Sequence, residues 1–173
     1  MAATARACCS AWPSISPRGA ARLEALLNDV ECDVVVLHAK TRWSPANVGR
    51  VVVPVGGRGG HDALRARLLG SLGRASNKPV RFVRVVGEDM LEAERAELAK
   101  ELRAFAAEET RGEPEGEVIA SGDVVRAIAT SAGAGDVLIL GLQRHKGRRL
   151  FGEVALRIAR ETEATVLMIS RHG

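Results

Sequence analysis

Along this chain, short unbroken runs of aliphatic residues alternate with longer stretches in which leucine and alanine recur every three to four positions. The runs are Asp33 to Leu37, Val51 to Val55, Val80 to Val86, Glu117 to Ala120, Asp136 to Leu140 and Thr165 to Ile169. Most are rich in valine and isoleucine and apolar throughout, rather than alternating with polar residues. That is the pattern of strands covered on both faces. The helical stripes lie between them. Ala20, Leu23, Leu26 and Leu27 share one face of a helix over Pro17 to Asn28, with Pro17 suited to its first turn. Leu64, Leu68 and Leu72 mark a helix over 61–74. Leu91, Leu98, Leu102, Phe105 and Ala106 mark one over 90–110, and Val124, Val125, Ile128 and Ala129 one over 122–132. The last helix is expected over 150–162.

From Val51 onward strand and helix alternate without interruption. Five strands joined by helices require right-handed crossovers and a mostly parallel sheet. The predicted fold class is α/β, an open three-layer α/β/α sandwich with a five-stranded, Rossmann-like sheet, preceded by one helix–strand unit. Residues 1–17, with the Cys8-Cys9 pair and no periodicity, are expected to form a loose extension in which Trp12 is exposed or docks. Residues 18–48 form the helix–strand unit and a linker containing Trp43, Ser44 and Pro45. Residues 49–173 form the main domain. Leu26 to Lys40 and Arg157 to Arg171 echo one another: the end of a helix, a polar turn, an apolar strand, then a basic residue.

Composition narrows the function classes. The 173 residues suffice for one domain with a real core. Aromatic residues make up 3%, with no tyrosine, so the core is built from Val, Leu, Ile and Ala. The net charge of +4 is modest, and no aromatics interleave with the basic residues to stack bases, so no nucleic acid is expected as a partner. Cys8, Cys9 and Cys32 lack CxxC spacing and read as reduced thiols of a cytoplasmic protein. His38, His61, His145 and His172 are scattered, so no metal is expected. No run of 18 apolar residues is present to insert into a membrane, and the first residues lack the apolar core of a secretory signal.

Candidate chemistry concentrates in Leu138 to Val154. An apolar strand ends at Gly141, a basic loop with Arg144, Lys146, Arg148 and Arg149 follows, and a helix begins near Leu150. A strand that feeds a glycine-containing loop into a helix presents backbone N–H groups to an anion. The four basic side chains fit either an anion or plain solvation. A second glycine-rich turn, Gly56 to Gly60, follows the Val51 strand. Catalytic motifs are scarce: there is no Walker lysine-serine pair, no G-x-S-x-G and no Ser-Gly-Gly-x-Asp-Ser loop. His61 and Asp62 could form an acid/base pair, although Asp62 also suits a helix first turn.

Two phrases carry a family resemblance. Ser121-Gly122-Asp123-Val124-Val125-Arg126-Ala127-Ile128 precedes Gly135-Asp136-Val137-Leu138-Ile139-Leu140-Gly141, and Val53-Pro54-Val55-Gly56-Gly57 closes the Val51 strand. Together with the element order they resemble the universal stress protein family. The resemblance implies an adenine nucleotide alpha hydrolase-like sandwich, dimeric through the last strand (Thr165 to Ile169). It also implies ATP or another adenine nucleotide bound at the carboxyl ends of the first and fourth strands. The implied contacts are Pro54, Val55, Gly56 and Gly57 after the first strand and Val86 after the second. Gly141, Arg144, Gly152, Glu153 and Val154 complete them in the phosphate loop.

Several of these positions depart from the family pattern. Gly56 stands where ATP-binding members carry aspartate. The family loop is G-x2-G-x9-G-[S/T]; Gly141 matches its first glycine, Arg144 replaces the second, Gly152 comes two residues early and Glu153 replaces the hydroxyl. A carboxylate competes with phosphate for the N–H groups of a helix start, a repulsion that screening reduces to about 1 kcal/mol. Altered loops of this kind are similar to the universal-stress-type modules that follow amino-acid permease-type transporters, often in tandem. That likeness implies that residues 18–40 are the end of a preceding module, that their strand pairs with the last strand, and that a membrane transporter is a partner. Three functional readings stay open. The first, a non-catalytic regulatory module sensing a nucleotide or other anion, is the expectation. The others are a structural or dimerisation domain without ligand, and an ATP-binding or weakly ATP-hydrolysing stress protein.

Overall fold

The first strand, β1 (Val34–His38), and the last, β8 (Thr165–Ser170), run antiparallel side by side, with Val36 opposite Met168 and Leu37 opposite Leu167. The computed structural model describes residues 17–39, 43–56, 65, 67–72, 78–110 and 113–171. Between β1 and β8 in sequence lie β2 (Val51–Pro54), β3 (Val80–Val86), β4 (Glu115–Ala120) and β5 (Val137–Gly141). They build one six-stranded sheet of order β1-β8-β5-β2-β3-β4, parallel everywhere except at the β1–β8 seam. A two-stranded ribbon, β6 (Gln143–His145) and β7 (Arg148–Leu150), stands apart.

Among the described residues, five helices cover the sheet. They are α1 (Pro17–Asn28), α2 (described over 67–72), α3 (Glu92–Glu109), α4 (Val124–Thr130) and α5 (Glu153–Glu161). Successive residues of a strand point to opposite faces, which is why the strands read as unbroken apolar runs. Val52, Val83, Leu138, Leu140, Val166 and Met168 belong to the core layer shared with α1, α4 and α5, whose Leu27, Ile128 and Ile158 are buried there. Val51, Val53, Phe82, Val137, Ile139 and Leu167 meet Leu69, Leu72, Leu102 and Ala106 of α2 and α3 on the other side. Phe82 and Phe105 add an edge-to-face contact, with ring centroids 5.8 Å apart.

The three-layer sandwich is thus as the hydrophobic pattern predicts, and the added helix–strand unit extends its sheet by one strand. The short 3₁₀ turn Pro45–Asn47 lies in the expected linker, with Ser44 Oγ accepting from the Ala46 N–H. Several boundaries move: β4 starts at Glu115 rather than Glu117, α3 at Glu92 rather than residue 90, α4 at Val124 rather than residue 122, and α5 at Glu153 rather than Leu150, the last because residues 148–150 form β7. The extension over residues 1–16, the turn 57–60 and the His61–Asp62 pair lie outside the described residues.

Candidate functional site

The chain builds β2, β3 and β4 in one direction, then crosses over β2 to lay β5 and β8 on its other side. The loops leaving β2 and β5 therefore part in opposite directions, and a crevice opens at their carboxyl ends. It encloses about 580 Å³, within the range of roughly 300–1,000 Å³ usual for small-ligand pockets. Pro54, Val55 and Gly56 line it from the end of β2, and Gly141, Leu142 and Gln143 from the end of β5. Val83, Phe105, Val124, Ile128, Val154 and Ile158 are among its apolar walls.

The first turn of the crevice requires glycine. Gly56 has φ of +114°, which side-chain-bearing residues rarely adopt, and nothing lies within 4 Å of where its Cβ would sit. Among the described lining residues Arg65 is the single titratable side chain. Its guanidinium stands 5.6 Å from the centroid of the Phe105 ring, and Nη2 donates to Glu109 Oε2 at 3.3 Å. A cation balanced in this way fixes the wall rather than offering a net charge.

Of the residues singled out from sequence, Pro54, Val55, Gly56, Gly141 and Val154 line the crevice. Val86, at the end of β3, accepts from the Ser121 N–H at 2.9 Å and does not line it; Gly152 and Glu153 do not line it either. Gly57 and the Arg144 side chain lie outside the described residues. Arg65, Phe105, Ile128 and Gln143 were not anticipated as crevice walls. The helical spacing marks Phe105 and Ile128 only as apolar positions, and nothing local distinguishes a pocket wall from core.

The expected loop is instead a hairpin. Lys146 and Gly147, with φ of +50° and +80°, form the two-residue turn, and Gln143 pairs with Leu150, Arg144 with Arg149 and His145 with Arg148. Positive φ at both central residues is the turn geometry that suits the twist of a two-stranded ribbon.

The hairpin also removes one arginine from the expected basic loop. Arg149 is only 3% exposed, and its guanidinium donates to the carbonyls of Leu27, Val30 (2.9 Å) and Cys32 (2.6 Å) at and beyond the end of α1. A cation there satisfies carbonyls that a helix end leaves without partners and complements its dipole. Asn28 completes the clasp. Its Oδ1 accepts from the Arg149 N–H at 2.7 Å, and its Nδ2 donates to the Arg149 carbonyl at 3.0 Å. Glu24 Oε1 accepts from the Phe151 N–H at 2.7 Å. The role of Arg149 is thus to dock α1 on the hairpin, not to face an anion.

A doubly wound α/β sandwich with a crevice at its switch point defines the class of this protein. Its fold is that of the universal stress proteins. A universal stress protein from Archaeoglobus fulgidus superposes with a TM-score of 0.52 at 23% identity, covering 70% of this chain and 93% of that one. A second structure, of the universal stress protein from the same organism in complex with dAMP, gives the same TM-score and identity over 97% of that chain. A functionally unknown protein from Pseudomonas aeruginosa PAO1 gives 0.59 at 20% identity, over 92% of this chain but 58% of its own. The present chain therefore spans little more than half of that longer relative. No protein-family model and no curated protein matches the sequence.

Proposed function

We propose that this chain is a non-catalytic, universal-stress-type regulatory module whose crevice takes an adenine nucleotide. The observation that carries the reading is the crevice at the carboxyl ends of β2 and β5, with Gly56 and Gly141 at its two loop starts and apolar walls broad enough for a base. Support also comes from the dAMP complex of the Archaeoglobus fulgidus protein. The non-catalytic part rests on the sequence, in which catalytic motifs are scarce. Among the described residues, no three His, Cys, Asp or Glu side chains gather as a metal site.

Regulation through a membrane transporter is the partner side of this reading, at the cytoplasmic face. No helix among the described residues is long and apolar enough to cross a membrane. β1 lies along β8, the edge at which a second module or a second copy is expected. In this reading α1 and β1 stand in for the end of a preceding module.

Titration calorimetry and thermal melting with dAMP, AMP and ATP test the ligand. A ligand at 100 times its Kd stabilises the folded state by about 2.7 kcal/mol. No heat and no rise in Tm at millimolar concentrations of all three would sink the nucleotide reading and leave the structural domain. Release of phosphate from ATP above background would instead favour the stress-protein ATPase. Co-purification with a permease-type transporter tests the partner.

A further inference from the structure

The hairpin places one side chain against the start of α5. Gly152 caps that helix with no side-chain cap of its own. A Cβ built on Gly152 would lie 2.5 Å from Cδ, 2.7 Å from Oε1 and 2.9 Å from Nε2 of Gln143. The Gln143 carboxamide therefore fills the space beside the cap residue, while Gln143 also forms part of the crevice wall. Phosphate groups bind a helix start only where the backbone can be approached closely. Here that approach is taken by Gln143, and Glu153 adds a carboxylate to the same first turn. The apolar portion of the crevice, beneath Val124, Val154 and Ile158, stays open.

We infer that Gln143 biases ligand choice: the exposed end of its side chain occupies the approach to the start of α5 and must be displaced by a polyphosphate chain, so that the crevice takes an adenine nucleoside or its monophosphate in preference to ATP. This rests on the adenine-nucleotide reading above and specifies which member of that class binds.

The test is calorimetry of the full chain with adenosine, AMP and ATP, repeated on Gln143→Ala. The expected result for the native chain is similar affinity for adenosine and AMP and at least tenfold weaker binding of ATP. Gln143→Ala should reduce the AMP-over-ATP preference by fivefold or more, while its melting temperature stays close to that of the native chain. Because Gln143 is exposed on a surface ribbon, the variant is expected to fold; Gln143→Ser provides the same measurement if it does not. Tighter binding of ATP than AMP by the native chain overturns the inference. So does a preference that neither folded variant alters. Failure of adenosine, AMP and ATP alike removes the nucleotide reading itself and the inference with it. Binding of AMP with an unaltered preference removes only the role of Gln143.

Discussion

Arg149 Nη2 donates to the Cys32 carbonyl at 2.6 Å, joining positions 117 residues apart in the chain. The same guanidinium reaches Leu27 and Val30, so a single buried cation holds the exit of α1 against β7. Burying a charge is costly unless it is paired or fully hydrogen-bonded, and here carbonyl oxygens take the place of a counter-ion.

Replacing that cation by an apolar chain of similar length leaves buried carbonyls without donors. Hydrogen bonds to charged groups contribute about 1.5–3 kcal/mol each, and they are not additive. Arg149→Met should therefore cost roughly 3 kcal/mol in all. For a domain of this size that corresponds to a fall in Tm of about 6–12 °C. Amide exchange should accelerate most at β1 and at Phe151. Arg149→Lys should recover less than half of the loss, because an ammonium cannot span the three carbonyls as a planar fork does. A melting temperature unchanged in Arg149→Met would show that the guanidinium contributes nothing, since the Asn28 bonds to the backbone of residue 149 survive the change.

Gly56 bears on attempts to introduce an aspartate at the end of β2. Space is not the obstacle, since nothing approaches its absent Cβ. The obstacle is backbone, with φ at +114°. Gly56→Asp and Gly56→Ala should each lose about 1–3 kcal/mol of stability, seen as a lower urea midpoint with an unchanged slope. Equal losses for the two would assign the cost to the dihedral angle. A loss confined to aspartate would assign it to charge.

Lys146 occupies a left-handed position that lysine does not favour, with φ at +50°. Asparagine or glycine followed by the existing Gly147 would suit the turn better. Lys146→Asn is expected to raise stability by about 0.5–1 kcal/mol without altering ligand affinity. Differential scanning calorimetry decides; a lower Tm would mean that the lysine side chain stabilises the ribbon.

The parts of the fold that sequence reveals are those where a local pattern has a local cause. Val34 to Leu37, Val80 to Val86 and Thr165 to Ile169 are apolar on successive positions because both strand faces are covered. The helix over Pro17 to Asn28 emerges with matching ends, and the pairing of its strand with β8 follows from the echo between the two segments. The ribbon β6–β7 escapes such reasoning. Gln143, Arg144, His145, Arg148 and Arg149 carry no apolar alternation, and the strands exist because of the tight turn and the contacts with Asn28 and Glu24. Arg149 reads as one basic residue among four, since nothing adjacent to it reveals partners in α1. The crevice is legible at its glycine loop starts and obscure at its walls, because Phe105 and Ile128 have the same spacing as core residues.

The β1–β8 seam imposes an order on folding. All six residues of β8 are buried, yet the strand that covers its outer edge is the earliest in the sheet and β8 is the latest. Contacts so distant in sequence form only after a large loop has closed. Within this sheet β1 gains its neighbour only after β2, β3, β4 and β5 have been made. An unpaired strand edge of this kind is a site for wrong pairing, and it is closed once Leu37 lies beside Leu167.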